Sequence, residues 1–343
     1  MTALSLRPVK LADVPWVELD RYPDRTVFQT RPWLRFLELT QRARPVIAEV
    51  RRASTGIGWF TGAMISRLGL RVLGSPLRGF TTSYMGFNLP PGEDRAALLA
   101  PLRDFAFREL QCIHCEVMDR HMPTFDGVPL GYVQSTLDGY EVDLTSPREL
   151  ILSRMNQARR HAVRRAPRNG VTVEIARGKD FADEFYDQII DVFAKQKLPP
   201  PYPKSRLYHL IEAMEDSGSL LMVRARGPNG QSIATAISPG FNRSAYFWMG
   251  ASWRAHQKLL PNEAIQWFIM NYWKERGIER YDMGGGGSYK SKYGGAPISV
   301  PWLRVSRFRA LENVRARLLE LRKTYRRWRG ARFAAPGHGE APY

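Results

Sequence analysis

Apolar residues recur at helical spacing in residues 32–39, where Trp33, Phe36 and Leu37 fall on one face and predict a helix. Two strand-like runs follow at 45–51 and 57–66, separated by the turn signal Ser54-Thr55-Gly56. A helical stretch at about 94–110 leads directly into a strand at 113–118, so the first half reads as hairpin, helix, strand. The second half opens with Ser146-Pro147-Arg148-Glu149, which has the form of a capping box and predicts one helix running toward Arg165. Asn169-Gly170 ends that helix, and residues 171–175 alternate as a strand. Helices are expected at 181–195 and 204–216, joined by the stiff run Pro199-Pro200-Pro201. Strands at 219–226, 232–238 and 244–250, a helix at 262–276 stopped by Gly277, and a strand at 278–282 complete the pattern.

Residues 97–117 and 261–283 share one plan, a helix of about four turns followed at once by a short strand, each preceded by antiparallel-looking strands. The pattern predicts two copies of a mixed α/β unit, residues 1–140 and 141–305, followed by a basic helix and tail at 306–343. A chain of 343 residues exceeds what one core usually supports, which agrees with two domains.

Charge sharpens the picture. Lys and Arg number 51 against 33 Asp and Glu, a net +18 that asks which polyanion the protein meets. Two segments, 154–168 with six Arg and 304–332 with eleven basic residues against Glu312 and Glu320, supply most of the excess. The sequence has no apolar run of membrane-spanning length, and residues 1–20 lack a signal-peptide pattern, so a cytoplasmic protein is expected. Cys112 and Cys115 form a C-x-x-C within a strand, where residues three apart point to opposite faces, so burial is expected and no metal site. His161 and His256 have no metal-spaced partners.

Three segments together resemble a known family: Phe28-Gln29-Thr30-Arg31-Pro32-Trp33-Leu34, the basic run from Arg159 to Val171, and Tyr281-Asp282-Met283-Gly284-Gly285 followed by Lys290-Ser291-Lys292-Tyr293-Gly294-Gly295. They resemble the Fem-like family of peptidoglycan-bridge aminoacyltransferases and their BioF2-like or CelD-like acyltransferase relatives. The resemblance covers most of residues 25–305 and implies a tandem of two domains of the GCN5-related acetyltransferase (GNAT) fold, joining an acyl or aminoacyl group to an amine. Ordinary members of that fold cradle the CoA pyrophosphate on a Gln/Arg-x-x-Gly-x-Gly/Ala loop at a helix N-terminus. At the expected place this chain reads Ala251-Ser252-Trp253-Arg254-Ala255-His256-Gln257-Lys258, without the paired glycines.

The resemblance assigns Lys290 as the catalytic lysine that stabilises negative charge as the carbonyl is attacked, the alternative being a solvated loop cation beside Lys292. Tyr289 and Tyr293 can donate to the departing oxygen, with core packing the alternative for Tyr293. Asp282 either orients the amine and takes its proton or forms the turn before Gly284 and Gly285, whose lack of side chains lets a substrate approach the backbone. Glu116 and Asp119 are alternative bases at the corresponding strand end of the first half. Arg160, Arg164 and Arg165, with Lys292, are candidates for holding phosphate of donor or acceptor, a solvated basic face being the alternative. The aromatic group Tyr246, Phe247, Trp248, Trp267, Phe268, Tyr272 and Trp273 reads as core, with either Phe247 or Trp248 lining a cleft.

Residues 311–332 read as a basic amphipathic helix facing an anionic inner membrane surface, a tRNA backbone or the protein's own body. The expected reaction is amide formation on a primary amine, with aminoacyl-tRNA as preferred donor and acyl-CoA as the alternative. No cofactor beyond the donor is expected. The acceptor would be a peptidoglycan precursor or another small amine.

Overall fold

The computed structural model describes residues 3–194, 198–285 and 287–308. The expected basic helix at 311–332 lies outside the described residues. Six strands belong to the first half: β1 (Leu4–Val9), β2 (Arg44–Arg52), β3 (Thr55–Arg67), β4 (Leu70–Ser75), β5 (Gly86–Asn88) and β6 (His114–Met118). β7 (Val133–Asp143) leads into the second half, which adds β8 (Thr172–Ile175), β9 (Leu220–Arg226), β10 (Ser232–Phe241), β11 (Ser244–Tyr246), β12 (Met249–Ser252), β13 (Arg280–Gly285) and β14 (Ala296–Ser306).

All of them join one sheet in the order β1-β2-β3-β4-β6-β14-β7-β13-β11-β10-β9-β8, with β5 on β3 and β12 on β10. The repeated plan is present in the topology. In the first half β4 runs parallel to β6 across the helical segments between Ala96 and Glu109. In the second, β11 runs parallel to β13 across the helix Pro261–Glu275. The fold is mixed α/β with two copies of this strand–helix–strand plan in tandem.

The halves are fastened by exchange. β14, which follows the second unit, pairs with β6 of the first, while β7, which follows the first, pairs with β13 of the second. β7 and β14 also pair with each other from Glu141↔Ala296 to Val133↔Arg304. The expected boundary at 140/141 therefore falls inside a shared strand. β14 carries Pro297 and Pro301, which in sequence argue against a central strand. They fall on the stretch that has β7 on one flank only, since β6 joins at Trp302, so a proline nitrogen turned to the open flank costs no ladder bond.

Burial alternates along the second unit's strands. Met222 packs into a core with Phe181, Phe185 and Leu210 on one face, and Leu221 and Val223 join Ile265, Ile269 and Trp273 on the other. The first core also takes Trp33, Phe36 and Leu37 from the Arg31–Gln41 helix, so it spans both halves.

Two expectations are corrected. The single helix after Ser146 is two, Arg148–Arg154 and Gln157–Arg168, because Ser146 Oγ donates to Asp143 instead of capping, and Asn156 starts a new helix by accepting from the Arg159 N–H at 2.9 Å. The strand at 244–250 is likewise broken at Phe247 and Trp248 into β11 and β12.

Candidate active site

The break at Phe247 opens the sheet. Up to Tyr246↔Asp282, β11 and β13 run paired, and the Phe247 N–H still donates to the Asp282 carbonyl at 2.8 Å. Beyond it the chain turns away: Trp248 N–H bonds Ile237 of β10, and β12 pairs with β10. β13 meanwhile continues to Gly285 opposite Gly139 of β7. The divergence leaves a cavity of about 510 Å³. Val192 and Phe193 of the Gly178–Ala194 helix line it from one face of the sheet, and Ile265 and Gln266 of the Pro261–Glu275 helix line it from the other. Phe247, Tyr289 and Tyr293 form further wall, so the cavity connects the two faces of the sheet.

An ion pair stands at the edge of this cavity. Glu263, 8% exposed in the first turn of the Pro261–Glu275 helix, pairs with Arg159, whose guanidinium also lies 5.2 Å over the Tyr293 ring. A helix N-terminus attracts negative charge, and here the protein's own carboxylate supplies it. The preceding turn spends backbone N–H groups internally, His256 on the Trp253 carbonyl and Leu260 on that of Gln257.

Asp282 is 3% exposed and both of its oxygens are engaged. Oδ2 accepts from the Tyr84 hydroxyl at 2.7 Å, and Oδ1 accepts from the Gly284 N–H at 2.6 Å. Burial raises the carboxyl above its ordinary range against the pull of these donors and of Arg120 and Lys290. Arg120 in turn donates to the Tyr84 oxygen at 2.8 Å and pairs with Glu141 at 2.5 Å. Lys290, 8% exposed, donates from Nζ to the Gly285 carbonyl at 2.9 Å. Burial lowers its ammonium below the usual lysine range, opposed by Asp282.

The turn that carries Lys290 is held from the basic helix side, since the Asn156 N–H donates to the Lys292 carbonyl at 2.9 Å. A Cβ at Gly294, where φ is +80°, would meet the Arg154 backbone at 2.9 Å, so only glycine lets the two segments close.

Of the residues expected from sequence, Asp282, Gly284, Gly285, Tyr289 and Lys290 come together at the end of β13. Tyr289 lines the cavity and Lys290 lies beside it. Arg160 turns away and donates to the carbonyls of Ser153 and Met155; Arg164, Arg165 and Lys292 are exposed. The arginine at the cavity is Arg159. Phe247 lines the cavity, whereas Trp248 donates from its indole to the Thr81 carbonyl at 2.7 Å and packs on Trp33 and Phe36.

The first unit's counterpart of the split is filled. Gly86 and Phe87 lie directly on Asp119, which accepts the N–H groups of Phe87 and His121 at 2.8 Å each and binds Arg95. Glu116 sits beside His114 at 3.0 Å and accepts from the Arg78 N–H. Both carboxylates thus serve the packing of the first unit. Cys112 and Cys115 are buried, and burial pushes the Cys112 thiol up to about 11. Among the described residues no three His, Cys, Asp or Glu side chains gather as metal ligands.

Tyr84, Arg120, Glu141 and Glu263 had no signal in the sequence. Each acquires its role through partners far along the chain, Tyr84 through a residue 198 positions away.

Residues 153–293 match the acetyltransferase (GNAT) domain family. Over 82 residues the chain is 30% identical to the lipid II:glycine glycyltransferase of Staphylococcus haemolyticus, a match spanning 24% of this chain and 19% of that protein. The chain thus matches about a fifth of that relative's length. The crystal structure of FemX superposes with a TM-score of 0.72 over 88% of this chain and 98% of that one, at 13% identity. A tandem GNAT protein from the clavulanic acid biosynthesis pathway superposes with a TM-score of 0.51 over 89% and 98%, at 12% identity. Among the described residues no helix is long and apolar enough to cross a membrane.

Proposed function

We propose that this chain, a Fem-like protein of the GNAT fold, is an acyltransferase that moves an aminoacyl group from tRNA to a primary amine. The observation that carries the donor assignment is the Arg159–Glu263 pair at the start of the Pro261–Glu275 helix. A CoA pyrophosphate needs free backbone N–H groups and the positive helix end there, and the Arg159-paired carboxylate of Glu263 already occupies that end. An aminoacyl ester on a ribose brings no pyrophosphate to that point.

The ester carbonyl enters the cavity between β12 and β13, and the acceptor amine approaches from the junction of the two halves. A carbon–nitrogen bond forms as the ester carbon–oxygen bond breaks. The nitrogen gives up a proton and the departing ribose oxygen gains one. Lys290 favours the oxyanion over the neutral carbonyl, and its burial strengthens that charge effect. Tyr289, on the cavity wall, hydrogen-bonds the departing oxygen. Asp282 acts as a positioning residue, since its oxygens are committed to Tyr84 and Gly284, the start of the segment that ends in Lys290.

The glycyltransferase and FemX likenesses favour an amine on a peptidoglycan precursor as the acceptor. The match to an acetyltransferase domain supports acyl-CoA as the second reading. Thermal melting separates the donors: a ligand at a hundred times its Kd adds about 2.7 kcal/mol. No rise is expected with CoA or acetyl-CoA at millimolar concentration, and a clear rise would overturn the tRNA assignment.

A further inference from the structure

The two helices that border the donor cavity also border a second hollow. Arg159 and Glu263 face the first; one turn along, Val163, Pro167, Trp267, Phe268 and Tyr272 line a groove of about 330 Å³ that reaches Val173 on edge strand β8. The aromatic wall is ordered. The Phe268 and Tyr272 rings are nearly parallel, 6.5 Å apart with 20° between planes, and the Arg276 guanidinium lies 3.6 Å over Tyr272. Trp267, Phe268 and Tyr272 are half-buried, so each keeps part of its surface open.

The opposite wall is the basic helix Gln157–Arg168. Arg159 is paired with Glu263, and Arg160 is bound to backbone carbonyls. Arg164, Arg165 and Arg168 have no partner among the described residues, whereas Arg25, Arg95, Arg120 and Arg224 are all held by acids. Arg164 and Arg168 each follow a groove residue and lie a turn apart on the exposed side of that helix. Glu275, the acid on the groove wall, is taken by Arg148.

Unpaired guanidinium groups on the exposed side of one helix and the part-open rings of Trp267 and Phe268 on the other are the composition that holds a single nucleic-acid strand, phosphates on one side and bases on the other. From Arg159 to Pro167 the helix rises about 12 Å, enough for roughly three nucleotides at about 3.4 Å each. We propose that this groove binds the unpaired nucleotides that lead a donor strand out of the cavity. The inference rests on the tRNA donor reading and assigns it a surface.

Anisotropy of a labelled single-stranded hexaribonucleotide ending in CCA, titrated with the full chain between about 50 and 200 mM salt, tests it. Trp267→Ala and Phe268→Ala should each weaken binding about 5- to 150-fold, equal to about 1–3 kcal/mol per stacked base, at an unchanged salt slope. Trp267→Phe should retain most of the affinity, which separates stacking from misfolding. Arg164→Gln with Arg168→Gln should lower the salt slope by about 0.7 for each phosphate no longer neutralised. Binding within twofold of wild type in all of these variants overturns the groove, as does loss of binding to phosphatidylglycerol vesicles with RNA binding intact. Wild-type transfer from charged tRNA that the groove variants leave unchanged overturns the groove alone. Transfer from acyl-CoA only overturns both it and the reading on which it rests.

Discussion

The Tyr84 hydroxyl donates a 2.7 Å hydrogen bond to Asp282 across 198 residues of chain, so the first half of the protein supplies a support of the second half's active site. The geometry behind it is an insertion. β10 pairs with β11 and then β12 after a two-residue break, and β3 pairs likewise with β4 and β5, but residues 76–85 separate those two strands. That extra segment reaches across the junction, carrying Thr81 to Trp248 and Arg206 as well as Tyr84 to Asp282.

Tyr84→Phe removes the hydroxyl bonded to Asp282 and leaves Oδ2 buried without that donor. Chemical denaturation should show a loss of about 1–3 kcal/mol. A double-mutant cycle with Asp282→Asn should give a coupling of at least about 0.5 kcal/mol. Additive losses would mean the bond carries no energy.

Lys290→Ala should lower turnover by roughly 10²–10³-fold with the melting temperature little changed. Lys292→Ala, at an exposed position on the same turn, should stay near wild type. Equal losses from the two would point to general anion binding in place of oxyanion stabilisation.

Breaking the Arg159–Glu263 pair should cost stability. Glu263→Gln leaves a partly buried guanidinium, and with Arg159 24% exposed the expected loss is about 1–3 kcal/mol by urea denaturation. Adding Arg159→Gln should recover part of it. A double variant less stable than the sum of the singles would contradict the pairing.

Much of this site was legible in the chain. Lys290, Tyr289 and Asp282 stand in one short motif at the end of a strand that Gly277 and the preceding helical pattern already marked. What stayed hidden depended on small angles and long distances. One helix position, about 100°, separates Arg159, which faces the cavity, from Arg160, which turns back on Ser153 and Met155. β7 and β14 lack a clean alternation because they are central to the chain's sheet yet half open along their length, and Pro297 and Pro301 read locally as breakers.

The most direct test of the central claim is single-turnover transfer to an amine-bearing peptidoglycan precursor, with the label on the amino acid of a charged tRNA in one arm and on the acyl group of acetyl-CoA in the other. The account predicts amide-linked label from the tRNA arm only, abolished when the donor is treated with ribonuclease beforehand and reduced about 10²–10³-fold by Lys290→Ala. Amide-linked label from acetyl-CoA, insensitive to ribonuclease and undiminished in that variant, would contradict it.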